Sequence, residues 1–131
     1  MSIFVKNYKI SMSLKLIFFG TPDFAVYSLN EIYKSHFTIK CVVTNPDKKS
    51  GRGRKINISP VKNFCIENDI ITLQPESFTD NQFISKLKLF KADLFVVVAF
   101  KKLPKLVWSI PPLGTINLHA YILPDFRGAA P

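Results

Sequence analysis

The fold is decided by residues 14–33, which read LKLIFFGTPDFAVYSLNEIY. The apolar run from Leu14 to Phe19 predicts a buried strand, and the next four residues interrupt it with a glycine and a proline. Apolar residues at helical spacing then predict a helix from Phe24 to Tyr33. A doubly wound α/β fold begins in this way. Because a dinucleotide site at such a turn needs the pattern G-x-G-x-x-G and only Gly20 is present, we exclude a nicotinamide or flavin site here.

The rest of the chain alternates between strand and helix patterns. We expect further strands at Phe37–Thr44, Ile70–Leu73, Leu94–Ala99 and Thr115–His119. We expect a helix that starts at Ser59–Pro60, a second from Asp80 to Phe90 capped by Thr79, and a helical turn at Pro104–Trp108. This alternation predicts an α/β fold: an open, mostly parallel Rossmann-like sheet with helices on both faces. A strand order of 3-2-1-4-5 would place the ends of the first and fourth strands at the switch point, where such sheets bind ligands.

Composition and charge limit the classes of protein to which the chain can belong. Its 131 residues are 47% hydrophobic, which suits one globular domain. The net charge of +9 favours an anionic partner, although charge alone does not distinguish nucleic acid from a membrane surface or phosphate. Cys41 and Cys65 lie in apolar patterns and are expected to be buried and reduced, and no Cys/His spacing predicts a metal. The longest apolar run, Leu94 to Phe100, is too short to span a bilayer, and no secretory signal is evident, so we expect a cytoplasmic protein without membrane contact.

Two polar residues on the last predicted strand are candidates for catalysis. Side chains alternate along a strand, so Asn117 and His119 are expected to share one face while Ile116 and Leu118 pack into the core. The amide can donate to a developing oxyanion, and the imidazole can carry a proton near neutral pH. On spacing alone, such a pair is more often two solvated residues that close a strand.

A basic segment follows the second predicted strand. Residues 45–58 are expected to form a polar loop without an apolar period, in which Asp47 is the one acidic residue. Its basic residues are Lys48, Lys49, Arg52, Arg54 and Lys55. Such a run is either a solvated surface loop or a mobile finger that follows a phosphate backbone.

Four stretches, in this order along the chain, resemble the folate-dependent formyltransferase family, and within it the branch that acts on methionyl-tRNA. They are FFGTPDFA at residues 18–25, Pro46–Asp47 leading to GRGRK at 51–55, SPVK at 59–62, and the run from NLHA at 117–120 to RGAAP at 127–131. The resemblance extends from Leu14 to Pro131, nearly the whole chain.

The resemblance implies transfer of a formyl group from 10-formyltetrahydrofolate to the amino group of initiator methionyl-tRNA, by a monomer and without a metal. It makes Asn117 the oxyanion donor and His119 the group that handles the proton. It assigns folate binding to Tyr121, Ile122, Leu123 and Pro124. It assigns contact with the tRNA acceptor arm to Lys48, Lys49, Arg52, Arg54 and Lys55. Arg127 either meets an anionic group or anchors its own loop.

The chain departs from the family pattern in three places. Tyr121 stands where the family usually has Ser, and Asp125 where it usually has Arg. The segment Phe100–Leu103 is one residue short and lacks the expected Gly. The bulky Tyr121 and the altered loop are expected to reshape or block the folate pocket.

The resemblance also predicts a domain organisation. Residues 1–13 are expected to be a mobile extension, and 14–131 the N-terminal part of the catalytic domain, with the family's catalytic Asp and its C-terminal tRNA-binding domain absent. We therefore expect these residues to be inactive alone. The alternatives are another folate-dependent formyltransferase, acting on glycinamide ribonucleotide or a sugar nucleotide, and a non-catalytic RNA-binding remnant.

Overall fold

A computed structural model describes the backbone of residues 3–5, 8–10, 14–20, 25–50 and 55–118, with side chains over 14–20, 25–47 and 58–118. The strands are β1 (Ile3–Val5), β2 (Tyr8–Ile10), β3 (Lys15–Gly20), β4 (Thr38–Val43), β5 (Lys48–Ser50), β6 (Lys55–Asn57), β7 (Thr72–Leu73), β8 (Leu94–Val98) and β9 (Thr115–Leu118). The helices are α1 (Ala25–Tyr33), α2 (Pro60–Glu67), α3 (Asn81–Leu89) and α4 (Lys105–Trp108).

Five strands form the central sheet, in the order β7-β4-β3-β8-β9. Every pairing in it is parallel. Counted along the chain, these strands lie in the order 3-2-1-4-5, so the switch point falls between the first and fourth strands, β3 and β8. All five carboxyl ends therefore meet at one edge of the sheet, which we call the carboxyl edge.

Helices cover both faces of this sheet, as the α/β prediction requires. On β3 the alternation of side chains sends Leu16 and Phe18 to one face and Ile17 and Phe19 to the other, all of them buried. The first face packs against α1 and α2. The second packs against α3 and α4. The near-continuous apolar sequence of β3 and β8 follows from burial on both faces.

The predicted polar loop at 45–58 contains structure that the sequence pattern did not indicate. β5 and β6 pair as an antiparallel hairpin with Lys48 opposite Asn57 and Ser50 opposite Lys55. We call residues 48–57 the basic hairpin; its residues 51–54 lie outside the described part. The two strands pair through backbone hydrogen bonds, which do not depend on the identity of the side chains, so the sequence shows no apolar period at this hairpin.

Two further expectations are corrected. The cap of α3 is Asp80 rather than Thr79, since the Asp80 side chain accepts a hydrogen bond from the amide of Phe83 at 3.2 Å. Ile116 was expected in the core but is 44% exposed. Its strand β9 lies at the edge of the described sheet and so has a neighbouring strand on one side only.

The start of α2 and the N-terminal strands complete the described fold. The Ser59 cap and Pro60 at the start of α2 are confirmed. β1 and β2 pair antiparallel within residues 1–13, and the mobility expected of that segment stays a prediction. Among the described residues, no helix has the length and apolar character needed to cross a bilayer.

Candidate functional site

Asn117 lies on the carboxyl edge, at the end of β9. It pairs with Val97 of β8, one of the two strands, β3 and β8, between which the strand order switches. Its side chain is exposed, and no group in the described part of the chain hydrogen-bonds its amide. The amide is therefore available to donate to a ligand.

A cavity of about 240 Å³ lies directly beside this amide. Its lining comes from two neighbouring strands and the segment that follows β8: Val97, Lys101, Lys102, Leu103, Trp108, Thr115 and Asn117. Thr115 donates its hydroxyl to the carbonyl of Trp108 at 2.8 Å, which ties the α4 wall to the strand that carries Asn117. The cavity combines apolar walls with a few polar groups, the usual composition of a small-molecule site.

Two lysines at the mouth of this cavity were not among the predicted site residues. The ammonium of Lys101 lies 5.1 Å from the ring centre of Phe78 and 5.9 Å from that of Phe100, so two aromatic faces hold it in place. Lys102 is exposed and lines the same cavity. The signal that could have found them is their position directly after the carboxyl end of a central strand, where open α/β sheets bind ligands.

The backbone turns sharply where β8 leaves the sheet for this cavity. Ala99 adopts a φ of 45°, in the left-handed region that glycine adopts more easily. This is next to the segment in which the sequence lacks the family's glycine. On the neighbouring strand end, a Cβ added to Gly20 would come within 2.8 Å of the Phe18 ring and 3.2 Å of the Val98 carbonyl. The single glycine of the first turn thus permits close packing between β3 and β8.

The basic hairpin leaves the same carboxyl edge from β4. In the sheet, β4 is separated from β9 by β3 and β8, a distance of roughly 14 Å at the usual strand spacing. Lys48 and Lys49 lie on β5 and Lys55 on β6. Arg52 and Arg54 are outside the described residues. The structure therefore brings the hairpin strands and the cavity to one edge of the molecule.

A polar cluster fixes the base of the basic hairpin. Asp47, which directly precedes β5, accepts hydrogen bonds from the Lys62 ammonium at 2.5 Å and from the Gln74 amide at 2.8 Å. These two hydrogen bonds hold the pKa of Asp47 below its usual range. In the sequence, Asp47 and Lys62 stood out only as parts of family motifs. Their contact was not predicted, because they are 15 residues apart.

Several predicted site residues fall outside the described part of the chain. His119, the folate segment Tyr121–Pro124 and Arg127 all do, and the pairing of Asn117 with His119 stays a prediction. Within the residues whose positions are described, no three His, Cys, Asp or Glu side chains come together as metal ligands.

Comparison with known proteins identifies a family whose members resemble this chain. The family profile described as formyl transferase matches residues 14–131. The chain is similar to proteins named methionyl-tRNA formyltransferase: 49% identical over 118 residues to one from Bacteroides thetaiotaomicron, and 54% over 119 residues to one from Fusobacterium nucleatum. These alignments cover 90% of this chain, and 37% and 38% of the two relatives. The chain thus spans little more than a third of the length of the curated relatives it matches.

Proposed function

This chain belongs to the formyl transferase family, and we propose that it carries the formyl-donor side of a site for formyl transfer to the amino group of initiator methionyl-tRNA. The observation that carries the proposal is the exposed Asn117 amide, which borders a cavity and has no hydrogen-bond partner among the described residues. The names of the relatives support the choice of methionyl-tRNA as acceptor over a small amine.

The donor, 10-formyltetrahydrofolate, fits the chemistry of this cavity. Val97, Leu103 and Trp108 offer apolar surface for a flat ring system. Lys101 and Lys102 offer positive charge, which suits the carboxylates of the donor's glutamate tail. We propose that the predicted folate segment, Tyr121, Ile122, Leu123 and Pro124, completes the pocket. The bound donor supplies an activated formyl group.

Asn117 is proposed to stabilise the negative charge that develops on the formyl oxygen during attack by the amine. Its amide N–H₂ donates a hydrogen bond to that oxygen. The fixed backbone pairing of β9 with β8 holds Asn117 in place before the reaction. His119 is proposed to take the proton that the amine releases and to return it to N10 of the donor, as the bond between N10 and the formyl carbon breaks and tetrahydrofolate leaves. Loss of one oxyanion donor lowers kcat by about 10²–10³ in well-studied enzymes.

The basic hairpin is proposed to contact the acceptor arm of the tRNA. It leaves the carboxyl edge that also holds the cavity, so one bound tRNA can meet both. Lys48, Lys49, Arg52, Arg54 and Lys55 would neutralise backbone phosphates, which makes binding dependent on salt.

Folate binding is tested with the only tryptophan of the chain, Trp108, which lines the cavity. Titration with 10-formyl-5,8-dideazafolate, a stable analogue that carries its formyl group on N10, is expected to quench its fluorescence, and Asn117→Ala is expected to weaken binding about tenfold because one hydrogen-bond donor to the formyl oxygen is removed. Asn63→Ala, on the exposed face of α2, is the matched control and should bind like the unchanged chain. Absence of quenching, or equal binding by both variants, would contradict the cavity assignment.

RNA binding is tested by following the affinity for an initiator tRNA transcript across salt concentrations. Replacing the five basic hairpin residues by Ala is expected to reduce the slope of log affinity against log salt, by up to about 0.7–0.9 for each phosphate that is no longer neutralised. The control variant replaces five exposed lysines elsewhere, Lys34, Lys86, Lys88, Lys91 and Lys105, and has the same net charge. Equal weakening in both variants would mean that the overall positive charge of the chain, and not the hairpin, binds the RNA.

These tests also separate the alternatives. RNA binding without folate binding favours an RNA-binding remnant. Folate binding without RNA binding favours a formyltransferase for a small amine.

A further inference from the structure

We propose that Asp47, Lys62 and Gln74 form a clamp that orients the basic hairpin, so that these three act as positioning residues for RNA binding. The proposal rests on the function proposed above for the hairpin. It concerns residues that do not themselves belong to the hairpin, and one of them, Asp47, carries a charge that repels RNA.

Asp47 stands at the entry to the hairpin. It is the last residue before β5, and the chain reaches it directly from the carboxyl end of β4. Thr44 extends the pairing of β4 with β7, since its amide donates to the carbonyl of Leu73 at 3.0 Å. Gln74, the next residue after β7, donates to both the Asn45 carbonyl at 3.0 Å and the Asp47 carboxylate at 2.8 Å. The entry to the hairpin is thereby tied to the sheet.

The exit of the hairpin is held by the start of α2. After β6 the chain reaches Ser59, which caps α2 by accepting a hydrogen bond from the amide of Lys62 at 3.2 Å. The ammonium of the same Lys62 reaches back to Asp47 at 2.5 Å. Lys62 therefore joins the start of α2 to Asp47, the residue that directly precedes the hairpin. The entry and the exit of the hairpin are thereby linked to each other through Asp47 and Lys62.

The ion pair of the clamp is partly shielded from solvent. The Asp47 and Lys62 side chains are 23% and 21% exposed, so solvent and salt screen their attraction less than they would screen a pair on the open surface. Two hydrogen bonds, one to each carboxylate oxygen, leave the carboxylate little freedom to rotate. An isolated two-stranded hairpin is marginally stable in water, so its direction depends on such anchors.

The decisive variant is Asp47→Asn, because the clamp and simple electrostatics predict opposite results. The substitution removes a negative charge, so a purely electrostatic account predicts tighter binding of the initiator tRNA transcript. The clamp predicts binding about three- to tenfold weaker and a lower salt dependence, since the hairpin charges lose their alignment. Asp69→Asn, at an exposed position two residues after α2, makes the same change in charge and is expected to bind as tightly as the unchanged chain, or slightly more tightly.

Two further variants test the clamp without altering the net charge of the protein. Gln74→Met removes the amide donor and leaves the net charge unaltered, so weaker binding would again support the clamp. Asp47→Glu retains the charge and is expected to restore part of the affinity. Binding by Asp47→Asn that equals or exceeds that of Asp69→Asn, in folded protein, would overturn the role of the clamp in RNA binding, as would unchanged binding by Gln74→Met.

Hydrogen exchange distinguishes failure of the clamp from failure of the proposed function. Asp47→Asn is expected to speed amide exchange in β5 and β6 by about tenfold and to leave β3 and β8 unchanged. Faster exchange with unaltered tRNA binding would mean that the clamp exists but the hairpin is not the RNA contact. Unchanged exchange would refute the clamp, whatever the tRNA result.

Discussion

At the scale of single residues, the two cysteines are protected by burial rather than by a disulfide. Cys41 on β4 and Cys65 on α2 are free thiols, and both are fully buried, as the sequence predicted. Burial raises the pKa of Cys41 from an ordinary 9.0 to about 12, and burial also raises the pKa of Cys65. Because the thiolate is the reactive form, both should be poor nucleophiles in the folded chain.

Alkylation by iodoacetamide at pH 8 measures this protection. We expect both native cysteines to react at least about a hundredfold more slowly than in urea, since burial blocks access and suppresses the thiolate. Glu31→Cys, which places a third cysteine on the exposed side of α1, supplies a reactive internal control. Mass spectrometry should find a single alkyl group, on that residue. Labelling of Cys41 at a similar rate would mean that the core around β4 opens readily.

At the scale of elements, the start of α3 depends on one carboxylate. Asp80 has extended backbone and accepts from the amide of Phe83, the arrangement of an N-cap. Thr79, which the sequence pattern favoured as the cap, instead lies 3.0 Å from the hydroxyl of Ser77. Two adjacent residues both suited to capping cannot be told apart by composition. The structure decides between them, since it is the Asp80 side chain that reaches the amide of Phe83.

Urea unfolding should separate these two residues. Asp80→Ala is expected to lower the free energy of unfolding by about 1 kcal/mol, because an amide of the first turn loses its partner. Thr79→Ala is expected to change it by less than about 0.5 kcal/mol. Asp80→Asn, which can still accept the hydrogen bond, should retain most of the stability. A larger loss of stability from Thr79→Ala than from Asp80→Ala would show that Thr79, and not Asp80, is the N-cap of α3.

At the scale of the whole molecule, stability depends on two apolar layers that meet the sheet from opposite sides. Phe19, at the centre of the second layer, is fully buried, with ring centres 5.1 Å from Phe95 and 6.1 Å from Phe100. Phe100 also contacts Phe78, the ring that supports Lys101 beside the cavity. The core and the candidate site therefore share side chains.

Phe19→Ala is expected to cost about 3–5 kcal/mol of unfolding free energy, because it removes a buried ring and leaves a cavity. Leu89→Ala, on α3 and 77% exposed, is the control and should cost less than about 0.5 kcal/mol beyond its helix propensity. Urea midpoints give both values. The Trp108 fluorescence of folded Phe19→Ala should shift as well, because the aromatic contacts that reach the cavity are disturbed. A cost below about 1 kcal/mol would show that the layer is loosely packed.

Most of the sheet and its helices could be predicted from the sequence because their signals are local. The apolar runs of β3 and β8 and the Ser59–Pro60 start of α2 each lie within a few residues of the structure they specify. Strand limits were accurate to one or two residues. The basic hairpin was missed because its strands are short and charged, and because backbone pairing leaves no apolar period to read.

The sequence by itself determined the parallel α/β sheet and the position of Asn117 at a strand end. Only the tertiary structure decided which groups surround that amide and what holds the hairpin. Lys101 and Asn117 meet at one cavity although α4 lies between them in the sequence, and Gln74 reaches Asp47 across 27 residues. Contacts between residues so far apart in sequence produce no periodic pattern in the amino-acid sequence. They exist because parallel strands distant in sequence end at one edge and bring their following residues together.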